Sequence, residues 1–477
     1  MQESEPHLIV VGAGISGLTT AWRLQEKAKA AALPVRITIL EQAEAVGGKL
    51  LTENVEGYTI EHGPDVFLAK KPWALTLCRD LGLEDELQPT NPNLKGSYIQ
   101  QNGKLHPLPP GFSGVVPTEL GPLLKTPLLS WAGKVRLAFE RFIRARRSTD
   151  DEPLGAFVRR RIGRNAYERL VHPLLSGIYG GDIDEISLQA TFPQFHELER
   201  EHGSLIRGIR RQRQQKAITG PAFVTLKGGL AALPHRLVEV LDADLKTGTS
   251  ATRIERFPAD TGRANWTVHT KDGSELSADA VVLSGPAWHS AEVVRSANEQ
   301  LAGVLEEIPY NSSLILTLAF KKEDVSHPLD GYGYLIPAIE GKPIRAVTWS
   351  SSKILGRAPA DGVLIRLFFG RSPEDPWLDA SESDLLAAAR DELSYMLGID
   401  TKPVFYRVRR WLRAQPAYTM GHPDRLRRID EVLQDLPGLH LCGSAYRGVG
   451  IPDCIHLAEQ TASAVFEYLS ASNTARS

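Results

Sequence analysis

The sequence predicts an α/β fold, and three observations predict it. A short apolar run, His7 to Val11, ends in Gly12-Ala13-Gly14-Ile15-Ser16-Gly17 and passes into a helix-like stretch. The same order of apolar run, glycine turn and helix returns near the far end, in "GLHLCGSAYRGVGIPDCIHLAEQ" from Gly438. Between them, "ADAVVLSGPAW" (Ala278 to Trp288) reads as a further sheet strand running into a turn. Together these predict a discontinuous Rossmann-like domain. Between its segments, helix-like stretches suggest a mainly helical insert, and alternating apolar runs such as "SSLILTLAF" and "GVLIRLFFG" suggest a mixed-sheet second domain.

Each element has a physical reason. "HLIVV" is short, β-branched and bounded by glycine, as a buried parallel strand is. Gly12, Gly14 and Gly17 fit G-x-G-x-x-G: the first permits the sharp turn, the second admits a pyrophosphate to the backbone, and the third lets the helix close on the strand. The helix "SGLTTAWRLQEKAKA" then points its N-terminal amides at the phosphates. A second strand, "VRITILEQ", ends at Glu41 and Gln42. An acidic side chain there accepts hydrogen bonds from ribose hydroxyls and disfavours a 2′-phosphate, and so disfavours NADP.

Three owners of the phosphates stay open at this stage: an exchanging nicotinamide, a held flavin, or none. The next segment, "AEAVGGKLLT", favours the flavin. Gly47, Gly48 and Lys49 bring further amides and a cation towards the same pyrophosphate, a second clamp that suits a permanently held dinucleotide. "GYTIEHGPDVFL" follows, with the tight turn Gly63-Pro64-Asp65 and then Val66. Near the C-terminus, Gly443 and the run Gly448-Val449-Gly450-Ile451 open a second helix start, with Pro452 suited to its first turn. That helix N-terminus can stabilise the negative charge that a flavin gains at its N1–C2 region on reduction.

Composition bounds the rest. A chain of 477 residues is too long for one ordinary core. A formal charge of -2 gives no case for nucleic acid. The start "MQESEPH" is acidic and polar where a signal peptide is basic and then apolar. Cys78, Cys442 and Cys454 form no C-x-x-C pair, which argues against a disulfide framework and against a zinc site. The expectation is a cytoplasmic protein with no metal.

At this point the residues carry a resemblance. "VVGAGISGL", "GGK", "IEHGPD" and "GVGIPDCI" resemble the FAD-binding elements of the amine oxidase/protoporphyrinogen oxidase superfamily. "PLLSGIYGGDIDEISLQATFPQF" and "FLAKK" resemble the Gram-positive-type coproporphyrinogen III oxidases within it. The similarity runs in order from about residue 7 to residue 469. One departure is that the superfamily often has arginine where this chain has Val46 and Lys49, which keeps charge but loses a bidentate fork. The resemblance implies non-covalent FAD held by residues 5–72, 221–295 and 417–477, a helical insert at 73–220, and a substrate domain with an antiparallel sheet at 296–416. It also implies a backbone contact from Ala251 to the adenine.

The implied reaction is FAD- and oxygen-dependent oxidation of coproporphyrinogen III to coproporphyrin III in heme biosynthesis, with hydrogen peroxide released. Alternatives are protoporphyrinogen IX as substrate, another superfamily activity such as amine oxidation, or a flavin-bound tetrapyrrole carrier without activity. No Ser/His/Asp order, H-E-x-x-H or Walker A stands out, and no catalytic base is named. Four propionates on the substrate call for cations, and Lys71 is the choice by resemblance. Ile178, Tyr179 and Phe368 are candidates for packing against the ring. The basic run Arg207 to Lys216 reads as a solvated loop. An apolar, Pro-rich stretch from Leu105 to Trp131 precedes basic residues up to Arg147. From its residues this region can line a substrate tunnel, dock another protein or be a solvated basic helix; the resemblance implies membrane contact, so a peripheral membrane surface and hand-off to other heme-pathway enzymes stand among the expected partners.

Overall fold

The computed structural model describes residues 5–474 except 111, 114–115, 118–119, 149, 180, 216–219, 258–264, 371 and 373. His7–Val11 is buried throughout and pairs in parallel with Arg36–Leu40 on one side and Ala280–Leu283 on the other. Asp244–Lys246 and Leu439–Leu441 complete a five-stranded parallel sheet. Its central strands are continuous apolar runs because both faces are covered. The helices Ile15–Ala30 and Ile451–Thr474 pack on each other. An antiparallel layer, Ala251–Phe257, Asn265–Thr270 and Glu275–Ala278, adds Ile254, Trp266 and Val268 to the same core. Segments from the start, middle and end of the chain thus share one core, with the first glycine turn where strand order reverses, the usual place for a ligand in such sheets.

A second sheet roofs this domain. Its seven strands run in the order Phe405–Pro416, Tyr310–Lys321, Gly362–Phe369, Ile344–Trp349, Gly333–Leu335, Ser97–Gln101 and Lys104–Pro107. All pairs are antiparallel except Gly333–Leu335 with Ser97–Gln101. Strand alternation divides the faces. Leu314, Leu316, Leu318, Ile365, Leu367 and Phe369 pack with the helix Glu382–Leu397. Arg366, on the opposite face, reaches the dinucleotide domain and donates from Nη2 to the Gly63 carbonyl at 2.6 Å.

The expected insert at 73–220 differs in several places. The helix Pro72–Asp80 buries Ala74, Leu77 and Cys78 in the dinucleotide core, so that core extends further along the chain than residue 72. Ser97–Gln101 and Lys104–Pro107 join the roof sheet, because a hairpin with both edges open finds its partner in Gly333–Leu335. The first core also takes Leu301, Val304 and Leu305, beyond the expected boundary at 296.

Apart from Leu87–Pro89, which pairs with Phe223–Leu226, and the short pair Phe112–Ser113 and Val116–Pro117, the remainder of the insert is helical around its own apolar cluster, which includes Phe157, Tyr167, Leu170 and Leu175. The basic stretch after the Pro-rich run opens as the helix Trp131–Ala138 and continues as the 3₁₀ turn Phe139–Phe142. The basic run expected as a loop is instead the helix Leu205–Gln215, held by Leu205 and Ile206 in the cluster; Lys216 lies outside the described residues.

Candidate cofactor and active site

Four backbone turns meet at the carboxyl ends of the parallel strands. Gly12 N donates to the Leu40 carbonyl at 2.7 Å, and Gly47 N donates to the Ala13 carbonyl at 2.9 Å, so the Gly47-Gly48 turn lies directly on the first one. Gly12 has φ 107°, which only glycine adopts at low cost. A Cβ on Gly17 would lie 2.0 Å from the Gly12 carbonyl oxygen, so the helix can approach the strand only without one. Gly14 is different. Its backbone is ordinary (φ -75°, ψ 176°), and a Cβ there would meet nothing within 4 Å. Its lack of a side chain keeps space open at the helix start rather than satisfying the fold.

Glu41 sits at the same turn. Its Oε2 accepts from Ala13 N at 2.8 Å and its Oε1 from Ala43 N at 2.9 Å. The Thr249 amide donates to the Glu41 carbonyl, and Gly248 to that of Ala43, which brings the segment before Ala251 to this end of the site. Ala251 is buried at the start of its strand, while Gln42 is exposed beside Glu41.

Lys49 lies on the other side of the Gly47-Gly48 turn. Burial pushes its pKa down, and the neighbouring Cys454, at the start of the C-terminal helix, offsets this in part. Burial pushes the Cys454 thiol up to about 12. No carboxylate pairs with Lys49 among the described residues. A desolvated ammonium without a counter-ion is costly, and a phosphate anion at this point removes the cost. Open space at Gly14, amides at two glycine turns, a carboxylate placed for a ribose and a half-buried cation form a donor set that fits a dinucleotide pyrophosphate.

The turn Gly63-Pro64-Asp65 is locked from both sides. A Cβ on Gly63 would be 2.0 Å from the Lys49 carbonyl oxygen. The Asp65 carboxylate, expected to serve the cofactor, receives Lys353 Nζ at 2.8 and 2.9 Å. Burial alone would raise its pKa, but Lys353 and Arg366 hold it below the ordinary range. This carboxylate therefore ties the turn to the roof, and the backbone of Gly63 to Val66 is what remains for a ligand. Sequence reading missed Lys353, at the end of the short helix Ser350–Lys353, and Arg366, whose only signal was a charge in an apolar strand.

The second glycine turn is shaped by another residue that sequence reading missed. Tyr418 Oη accepts from Gly448 N and donates to the Ser444 carbonyl, both at 2.7 Å. His422 stacks on Tyr418 with ring centroids 4.1 Å apart, and its Nε2 donates to the Tyr446 carbonyl at 3.0 Å. Gly443 (φ 121°), Val449, Gly450 and Ile451 thus lead into the C-terminal helix with their backbone fixed from behind.

His422 is fully buried, and burial pushes its pKa down to about 4 from an ordinary 6.5. The folded value lies below the unfolded one, so this contribution is intact above pH 6.5 and is lost as pH falls towards 4. The loss is about 3 kcal/mol for one such group. His422→Phe is expected to be less stable at pH 7, because the Tyr446 carbonyl loses its donor. It is also expected to lose less further stability than the parent between pH 7 and 4.5. Urea denaturation at the two pH values checks this; parallel losses would contradict it.

The expected substrate residues do not all converge. Lys71 Nζ is bound to the Asp453 carboxylate at 2.5 and 2.7 Å, at the first turn of the C-terminal helix, so its charge is already partnered. Phe368 is half-buried on the site-facing side of the roof, with the Arg366 guanidinium 5.2 Å from its ring centroid. The side chains of Ile178 and Tyr179 lie outside the described residues; their helix, His172–Tyr179, borders a cavity of about 300 Å³ shared with Arg345 and Ser372. No glycine turn of the dinucleotide site lines that cavity.

Comparison with known proteins bears on this geometry. The flavin containing amine oxidoreductase family matches residues 15–466. The coproporphyrinogen III oxidase of Bacillus subtilis (strain 168) is 34% identical, over 98% of this chain and 100% of its own. Protoporphyrinogen oxidase 1, chloroplastic, of Arabidopsis thaliana is 31% identical, over 97% of this chain and 88% of its own. A crystal structure of a protein from Exiguobacterium sp. 255-15 superposes with a TM-score of 0.85 at 33% identity, covering 98% of this chain and 100% of that one.

Proposed function

The chain belongs to the flavin containing amine oxidoreductase family, and on that premise we propose that it oxidises coproporphyrinogen III to coproporphyrin III, with FAD as cofactor and dioxygen as the final electron acceptor. The observation that carries the substrate is the end-to-end likeness to a coproporphyrinogen III oxidase.

When bound, FAD supplies a two-electron acceptor that dioxygen can reoxidise. The protein supplies position and charge. Gly12 to Gly17 and the Gly47-Gly48 turn offer amides to the pyrophosphate, Lys49 offers its counter-charge, and Glu41 the ribose contact. The start of the C-terminal helix favours negative charge on the ring system. In each round the substrate loses a hydride from a meso C–H and a proton from a pyrrole N–H, and the ring gains one degree of conjugation. The two electrons and two protons leave with dioxygen as hydrogen peroxide. Three rounds remove six hydrogens. Lys71 reaches a propionate only by sharing or leaving Asp453, so it is a weaker anion site than a free cation.

Peroxide release and porphyrin fluorescence from the purified flavoprotein test this reading. About three peroxides per coproporphyrin are expected, with kcat/KM higher for coproporphyrinogen than for protoporphyrinogen. A clear preference for the two-propionate ring would reverse the substrate order, and no turnover of either would remove the reading.

We propose further that one face of the insert contacts an anionic lipid surface. Trp131, Val135, Phe139 and Phe142 are exposed at near-helical spacing, Trp131 to 76%. The helix Leu205–Gln215 packs beside Phe139–Phe142 and exposes Arg207, Arg210 and Arg211. Aromatic and cationic side chains on one face suit a membrane interface. No helix among the described residues is long and apolar enough to cross a membrane. Sedimentation with anionic vesicles is expected, and Trp131→Ser with Phe142→Ser is expected to weaken it about tenfold or more. Equal binding to uncharged vesicles would contradict the electrostatic half.

A further inference from the structure

We propose that the Arg409 guanidinium receives a substrate carboxylate on the roof-sheet wall of the site; this deepens the porphyrinogen reading and rests on it. Strand alternation places Arg407, Arg409 and Trp411 on one face of Phe405–Pro416. The two flanking residues are anchored to the dinucleotide domain. Arg407 Nε donates to Glu53 Oε1 at 2.8 Å, and Trp411 Nε1 donates to the His62 carbonyl at 2.6 Å. Arg410, on the opposite face, donates to the Leu378 and Ala380 carbonyls. Arg409 alone of these has no acceptor. Among the described residues its guanidinium meets no carboxylate or carbonyl, and its Nε is buried without a partner.

Its position is nonetheless fixed. The guanidinium lies over the Trp411 ring, 4.4 Å from the centroid, and Trp411 is itself pinned to the Glu61–Asp65 turn. His62, in that turn, has its pKa lowered first by burial and further by the Arg409 charge. Register extends the argument across the sheet. Arg409 pairs with Ile315, Ile315 with Phe368, and Phe368 with Ala346. None of Ile315, Phe368 and Ala346 joins the apolar clusters on the other face or below.

The result is an apolar row ending in an unpaired, stacked guanidinium beside the turn that borders the cofactor site. A partly desolvated arginine with unsatisfied donors is expensive unless an anion completes it. Its planar fork matches a carboxylate in bidentate geometry. An apolar macrocycle with carboxylates at its edge satisfies both ends of the row: rings on Ile315, Phe368 and Ala346, and one propionate on Arg409.

The test uses the FAD-loaded full chain and two probes, coproporphyrin III and its tetramethyl ester, with binding read by quenching of tryptophan fluorescence. Arg409→Met is expected to weaken binding of the tetra-acid by about tenfold to a hundredfold and to leave the ester unchanged. Arg409→Lys is expected to recover part of the loss. KM for coproporphyrinogen rises in parallel, with FAD content and the flavin spectrum unchanged. Arg409→Gln serves in place of the methionine variant if that one fails to fold. Equal tetra-acid binding by parent and variant overturns the proposal. So does a loss of FAD or a shifted flavin spectrum with porphyrin binding intact, which would assign Arg409 to the cofactor. A parent that binds neither porphyrin nor ester fails at the functional reading instead, a different and recognisable outcome.

Discussion

Gly14→Val is expected to give a folded, colourless protein. The position has ordinary backbone angles, and a Cβ there meets no protein atom within 4 Å, so the fold itself does not forbid a side chain. It does fill the space in front of the first helix turn, where a pyrophosphate must approach the amides. Loss of two charge-assisted hydrogen bonds weakens FAD binding by at least about a hundredfold. Gly17→Ala is the control with the opposite signature. Its Cβ would press on the Gly12 carbonyl oxygen at 2.0 Å and on Ser284 Oγ at 2.6 Å, so the helix must move off the strand and the fold itself fails. Circular dichroism and the ratio of flavin to protein absorbance separate the two. A folded Gly14→Val protein with stoichiometric FAD would place the cofactor elsewhere.

Arg161→Ala is expected to destabilise the helical insert by about 3–5 kcal/mol, a large share of an ordinary domain's stability. Arg161 and Glu140 are completely buried and paired, and Arg161 Nη1 also donates to Glu199 Oε1 at 3.2 Å. Glu140 accepts in addition from Ser204 Oγ at 2.6 Å and Leu205 N at 3.0 Å. Removing the arginine leaves a buried carboxylate with neutral donors only. Because an apolar replacement of both partners removes the orphaned charge, Arg161→Met with Glu140→Leu is expected to be more stable than Arg161→Ala. Hydrogen exchange over residues 130–210 measures both, since a chain with several cores need not unfold in one step. Equal exchange in parent and Arg161→Ala would show that the pair contributes little.

The parallel sheet was legible where its strands are near-continuous apolar runs beside a glycine turn, as in His7–Val11 and Ala280–Leu283; the edge strand Asp244–Lys246, Asp-Leu-Lys, carries no such run and was not foreseen. Glu41 was legible as an acidic residue ending the second strand. The strands Ser97–Gln101 and Lys104–Pro107 were not foreseen, although Asn102-Gly103, both with positive φ, is a strong hairpin signal. Their partner lies more than two hundred residues away, and pairing at that distance leaves no local pattern. The basic run at Arg207 was misread because charge density alone suggests a loop, whereas Leu205 and Ile206 anchor it as a helix.

In the candidate site, the glycine turns and Glu41 at the end of the second strand could be named from spacing. Tyr418, Lys353 and Arg366 could not, because each acts through a partner brought close only by folding. Asp65 shows the converse: its place beside the cofactor turn was readable, but the direction of its carboxylate depended on Lys353, 288 residues further on.

The most direct measurement of the central claim is rapid anaerobic mixing of the yellow holoprotein with coproporphyrinogen III. Bleaching of the flavin band on mixing is expected, with return of colour and appearance of porphyrin fluorescence when air is admitted. A flavin band that stays unchanged at saturating porphyrinogen would contradict the account.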